Sequence, residues 1–214
     1  MNPNALIDGL IMYLGLVVLL TFHEFGHAWT AWKCGDDTAR LQGRVSLNPL
    51  VHIDPIGTVL LPLIMILLPG AGQFLVGWAK PVPVNPYNLR NPRVDDILVT
   101  LAGPGMNLLL AVALVALARV GVLIHVPELV DLGGSMAQLS LLLCFFNLIP
   151  IPPLDGSRVL RVLTGMSWDA YASFARFGFI AIILVLQIRL VRDLLWTAVD
   201  STFALLAACF GFST

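Results

Sequence analysis

The chain has 214 residues, of which 58% are hydrophobic and only 12% charged, and its mean hydropathy is +0.88. A composition so far from the soluble globular average predicts an integral membrane protein, and a net charge of -1 without an extended basic face excludes nucleic acid as an expected partner. Cys34, Cys144 and Cys209 form no close pair, so neither a disulfide framework nor a Cys-x-x-Cys metal site is expected.

The amino terminus lacks the positive start of a secretory signal peptide, and the first apolar run is expected to stay in the mature protein. That run, about Ala5 to Trp32, exceeds the ~20 residues a bilayer needs and predicts a spanning helix. Its final third carries His23-Glu24-Phe25-Gly26-His27. Two histidines four apart on a helix differ by about 40° in direction and one turn in height, so both imidazoles can reach one metal ion. Glu24 can then face the water that such a metal activates, the arrangement of zinc hydrolases with glutamate as general base. The pattern alone turns up by chance. Its place matters more, because each charged residue deep in a membrane helix costs roughly 2.5–3.5 kcal/mol and is retained where function needs it. Lys33, Arg40 and Arg44 follow and mark this end as cytoplasmic.

From Arg40 to Leu47 apolar and polar residues alternate, which predicts a strand. The proline-punctuated loop to Pro55 holds His52 and Asp54 as possible extra ligands; a loop histidine is more often a hydrogen-bonding residue, and the role of His52 stays open. Ile56 to Pro69 is apolar but short, about 21 Å as a helix against a ~30 Å hydrocarbon core, so it reads as re-entrant or as a tilted span. Gly77 to Pro86 has prolines every second or third position and must be extended; it reads as an edge strand able to pair with an unwound substrate, or as a rigid surface loop.

Val94 to Leu117 is a second span, with Gly103-Pro104-Gly105-Met106-Asn107 in its first half, where small residues allow close helix approach and Asn107 can bond across the gap. Arg119 to Gly134 reads as a short outer loop. Ser135 to Ile149 returns inward and breaks at Pro150, Pro152 and Pro153 just before Asp155, which either reaches the site or caps a helix over Ser157 to Thr164. Arg158 and Arg161 place this end in the cytoplasm as well. Tyr171 to Leu186 and Leu194 to Phe212 read as framing helices.

Three separated signatures, His23 to His27, Gly103 to Asn107, and Asn147 through Leu154-Asp155-Gly156, occur in an order that resembles the site-2 proteases, intramembrane zinc metalloproteases. The likeness covers about Leu10 to Met166 and extends to the small, compact bacterial members. It implies one zinc ion per chain held by His23, His27 and Asp155, with Glu24 as base, Asn147 binding or polarising substrate, and Asn107 supporting the site. It also implies an endopeptidase that cuts in or near transmembrane segments of membrane-protein substrates within a lipid bilayer, in regulated intramembrane proteolysis. The expected location is a prokaryotic plasma membrane, with the site nearer the cytoplasm.

The expected fold is an all-α integral membrane protein: a multi-span bundle with a three-helix catalytic core and a small cytoplasmic-side β-strand or re-entrant element. It forms one domain over 1–214, with the core about 5–166 and framing helices 167–214. Two family features are not seen: a transmembrane helix before the His-Glu-x-x-His helix, and a PDZ or CBS domain. A metal transporter and a catalytically silent scaffold are the rival readings; the lack of an internal repeat opposes the first and the intact base and ligands oppose the second.

Overall fold

The computed structural model describes residues 3–67 and 77–212, with side chains from residue 6 onward. Helix α1 (Pro3–Lys33) is a continuous apolar rod that ends where Gly35 adopts a φ of 107°, a backbone state few side chains tolerate. Helix α4 (Pro92–Leu123) opens on a proline at its first position and α5 (Pro127–Asn147) does the same. The stretch read as a loop from Arg119 to Gly134 is therefore mostly helix. Only residues 124–126 turn the chain, with His125 at a φ of 59°, because the scattered polar residues there sit on exposed helix faces.

Helix α4 lies in the middle, packed on α5 and α1. Leu16, Leu19 and Leu20 of α1 meet Leu139 of α5 in one buried cluster, and Ala111, Leu141 and Val199 form another with the last helix. Ile7, Leu10, Ile11 and Leu14 point outward on α1, as do Leu108 and Leu109 on α4. Such faces would be costly in water and are natural against lipid. Among the described residues three helices, Leu6–Lys33, Pro92–Leu123 and Pro127–Asn147, are long and apolar enough to cross a membrane; the bent pair α7 (Trp168–Ala175) and α8 (Gly178–Gln187), at 61° to each other, would make a fourth. The chain is an integral membrane protein of helical bundle type.

The expected strand element is not formed: no strand occurs among the described residues. Thr38–Leu41 is the short helix α2, and Gly43 then turns the chain at a φ of 68°. The alternation from Arg40 misleads because burial runs against it. Leu41 and Leu47 are 78% and 50% exposed, while the buried member is Arg44, at 5%. Its guanidinium donates to the Lys80 carbonyl, a polar anchor that binary patterning counts as surface. Residues 77–85 are extended as expected, yet they pair with no strand. Trp78 N donates to the Gly57 carbonyl, Lys80 N to the His52 carbonyl, and Thr58 Oγ1 to the Trp78 carbonyl.

The apolar stretch from Ile56 forms a helix over Pro55–Leu67, of which Pro55–Leu60 is π-helical and Leu61–Leu67 is α3; Leu68 and Pro69 lie outside the described residues. Asp54 caps it, its carboxylate accepting from Ile56 N and Gly57 N. After the break at Leu148–Leu154, α6 (Asp155–Thr164) precedes α7 and α8, and α9 (Arg189–Cys209) ends the fold.

The polar connections at one end hold two titratable groups away from their ordinary values. Burial opposes the charge on Asp36, but hydrogen bonds from Thr38, Asn85 and Asn88 outweigh it and hold the carboxyl below the usual carboxylate range. Burial pushes the His52 imidazole down. Stability owed to neutral His52 is thus present above roughly pH 6.5 and lost as pH falls through its lower folded value; that owed to ionised Asp36 is present above roughly pH 3.9 and lost in stronger acid. Melting temperatures taken across this range should fall in two stages, the first weakened by His52→Asn.

Candidate metal centre

His23 and His27 face α4 because Gly26 between them lets the helices touch. A Cβ at Gly26 would stand 2.7 Å from the Ala102 carbonyl oxygen, so any larger residue would force the helices apart. The two Nε2 atoms are 3.1 Å apart. Asp155, the first residue of α6, brings its Oδ2 to 3.2 Å from His23 Nε2 and 3.3 Å from His27 Nε2. The helix cap is Leu154, so the capping role considered for Asp155 is not the one it adopts. Among the described residues, His23, His27 and Asp155 are the group whose donor atoms, all within 4.8 Å of one another, could hold a metal ion. His52 stands apart, its Nε2 on the Ser46 carbonyl at 2.8 Å.

The surroundings of the three side chains fit a cation. His27 Nδ1 lies 2.7 Å from the Val99 carbonyl, which only accepts, so the neutral ring carries its proton on Nδ1 and keeps the Nε2 lone pair for the point it shares with the carboxylate. Asp155 Oδ2 is buried and makes no hydrogen bond despite two nitrogens at short range. Lone pairs of one sign converging on a buried point are unfavourable until something positive joins them. Asn107, fully buried, has Nδ2 3.1 Å from His23 Nδ1 and Oδ1 without a partner. Turned over, the same carboxamide accepts from His23 Nδ1 and fixes His23 in the tautomer of His27. Ser140 Oγ of α5 donates to the Asn107 carbonyl at 2.7 Å and ties this support to the third helix.

Gly103 completes the enclosure, since a Cβ there would fall 2.2 Å from His27 Nε2 and 2.7 Å from His23 Cε1. The glycine noted for helix approach in fact faces the two imidazoles. Glu24 is buried beside them, and its Oε2 accepts from Val82 N of the extended segment at 2.9 Å. Burial pulls the nearby Arg44 guanidinium below its ordinary value, and the Glu24 carboxylate works the other way. Asn147 is the last residue of α5, and its Nδ2 donates to the Leu143 carbonyl at 2.9 Å.

Residues 11–130 and 120–186 match the model of peptidase family M50. The chain belongs to that family. It is 37% identical over 220 residues to "Putative zinc metalloprotease YwhC" of Bacillus subtilis, covering 97% of this chain and 95% of that protein. It is 33% identical over 181 residues to "Putative zinc metalloprotease Rip2" of Mycolicibacterium smegmatis, and 38% over 164 residues to the Rip2 protein of Mycobacterium tuberculosis. Those two alignments cover 83% and 75% of this chain and 66% and 60% of the relatives, so the chain spans less than two thirds of either Rip2 protein. No solved structure matches. M50 membership accords with the site-2 protease resemblance and with the three-donor group in α1 and α6.

Sequence reading alone missed the Val99 carbonyl and Val82 N–H, which as backbone groups leave no mark in composition. It also counted Arg158 and Arg161 only as markers of a cytoplasmic end. Both instead donate to Asp96, a buried carboxylate on α4. Two arginines three apart beginning three residues after Asp155, and an Asp95-Asp96 pair at the start of a span, were the available signal.

Proposed function

We propose that this M50 chain is an intramembrane zinc endopeptidase that cuts a peptide bond in or near a transmembrane segment of membrane-protein substrates. The observation that carries this reading is the buried Asp155 Oδ2, without a hydrogen bond and aimed between two imidazole nitrogens. His23, His27 and Asp155 would hold the ion as its three protein donors. Zinc bound there supplies Lewis acidity that polarises a scissile carbonyl and activates water.

The chain's own groups divide the rest of the work. Glu24 takes a proton from the attacking water and returns it to the leaving amine. The Val82 N–H anchors one carboxylate oxygen and leaves the other to carry that proton. Asn147 would bind or polarise the substrate carbonyl, and Asn107 would orient His23. The polar ends of α1 and α4 meet α6 at one surface, and the connections there carry Lys33, Arg40, Lys80, Arg90 and Arg93, against Arg119 with Glu128 and Asp131 around the far turn. That asymmetry favours a cytoplasmic site in a plasma membrane. The catalytic core over about 5–166 and the framing helices beyond it would act as one domain.

Asp155→Ala should lower zinc content from about one ion per chain towards none and remove cleavage. The check is metal analysis of purified protein, together with fragment patterns from co-expressed single-span membrane proteins. Full zinc and unchanged fragments in Asp155→Ala would overturn the proposal.

A further inference from the structure

The Asp155 carboxylate stands at the start of a short helix that follows a broken stretch of chain, and it must be held to within a few tenths of an ångström to serve two imidazoles. Its neighbours along α6 show what holds it. On a helix, residues 155, 158 and 161 lie at about 0°, 300° and 240°, within one third of the circumference. That face turns to α4. Arg158 Nη2 donates to Asp96 Oδ1 at 2.7 Å and Arg161 Nη2 to Asp96 Oδ2, so both carboxylate oxygens of one fully buried aspartate are engaged by α6. Trp168 covers the clamp from outside, its ring 3.9 Å from the Arg161 guanidinium carbon.

The other end of the clamp is equally telling. Asp96, Val99, Gly103 and Asn107 follow one another at steps of three, four and four, a single stripe within about 80° on α4. Val99 orients His27, Gly103 leaves room beside both imidazoles, and Asn107 meets His23. Asp96 stands on the same stripe and holds the helix that carries the third donor.

We propose that Asp96 is a positioning residue of the metal centre, which, by gripping Arg158 and Arg161, sets the rotation of α6 and so aims the Asp155 carboxylate at His23 and His27. This rests on the zinc-site reading above. A contact of this kind acts like the outer groups that orient ligands, whose loss weakens metal binding about 10–100-fold. A buried carboxylate that merely stabilised the fold would lower melting temperature and leave the metal alone.

The test uses the full chain in detergent, with zinc affinity read by chelator competition and ligand geometry by the visible bands of the cobalt(II)-substituted protein. Asp96→Asn should weaken zinc about 10–100-fold and shift the cobalt bands. Asp36→Asn is the control: Asp36 is fully buried and multiply hydrogen-bonded, but to Thr38, Asn85 and Asn88 rather than α6. It should lower the melting temperature with zinc affinity unchanged. If Asp96→Asn fails to fold, the triple variant Asp96→Asn, Arg158→Gln, Arg161→Gln removes every unpaired charge and should show the same weakened affinity. Wild-type affinity and bands in the single or triple variant, or equal weakening by Asp36→Asn, would overturn the proposal. A wild-type protein that bound neither zinc nor cobalt would instead defeat the metal-site reading itself.

Discussion

Replacing Glu24 with glutamine is expected to stop proteolysis while leaving zinc in place. The side chain keeps its length and can still accept from Val82 N, so the extended segment remains anchored. What disappears is the group able to take a proton from water and return it to the amine. General acid–base groups contribute about 10²–10⁴ in rate, so kcat should fall by that much with KM little changed. Glu24 is not one of the three converging donors, and zinc content should stay near one per chain. The neutral bond from Val82 replaces a charge-assisted one, and stability should drop by only about 1 kcal/mol. Fragment yield from a co-expressed membrane protein, set beside metal analysis of the same preparation, reads both effects. Undiminished cleavage by Glu24→Gln would mean that the carboxylate is an anchor for residues 77–85 and nothing more.

Asp155→Ala and Glu24→Gln should therefore be equally inactive and differ in metal. That contrast follows from where the two carboxylates stand. Asp155 Oδ2 is without a hydrogen bond and aimed between the imidazoles, whereas Glu24 is tied through Oε2 to the backbone of another segment. The pairing of a free acceptor with an anchored one is what three donors and a separate base require.

The spans and the two histidine donors were legible from residues because both depend on local pattern: long apolar runs make α1, α4 and α5, and His23 and His27 are a helical turn apart. Asp155 could be proposed only through family resemblance, since nothing local says whether an aspartate after three prolines caps a helix or reaches across to α1. The strand read from Arg40 failed for a definable reason. Period-two alternation carries a meaning only if the apolar members are inside, and here the bundle end buries Arg44 to satisfy carbonyls of the Lys80–Pro81 segment. The Asp96 clamp was invisible for the opposite reason. Charges near a membrane surface are ordinarily counted for topology, and Arg158 and Arg161 were spent on that inference although a carboxylate 62 and 65 positions away consumes both. Positive-inside counting loses force wherever the arginines are paired inside the protein.

Gly103→Ala should be the most selective lesion available, because its local and its functional effects have opposite signs. Within α4, exchanging glycine for alanine favours the helix by up to about 1 kcal/mol. The added methyl, however, would sit 2.2 Å from His27 Nε2, 2.6 Å from His27 Cε1 and 2.7 Å from His23 Cε1, far inside contact distance. The rings cannot simply swing away. His27 is tied through Nδ1 to the Val99 carbonyl and His23 lies against Asn107, so relief of the clash breaks one of those supports and turns a donor nitrogen off the common point. Zinc affinity should fall at least about 100-fold, the upper range for disturbing groups around a metal, and activity should go with it. The metal-free protein should melt near the wild-type temperature, because the helix gain of up to about 1 kcal/mol offsets the roughly 1 kcal/mol lost with the broken hydrogen bond. Gly26→Ala is the informative partner, because its methyl would meet the Ala102 backbone oxygen at 2.7 Å rather than movable side chains. There the helices themselves must separate, at a cost of about 1–3 kcal/mol. Melting curves in chelator, with zinc titrations on the same samples, should thus place the two alanines at opposite corners: Gly103→Ala stable and metal-poor, Gly26→Ala destabilised whether or not metal is present. A Gly103→Ala protein that bound zinc like the wild type would show that the ion, wherever it binds, is not held between these imidazoles.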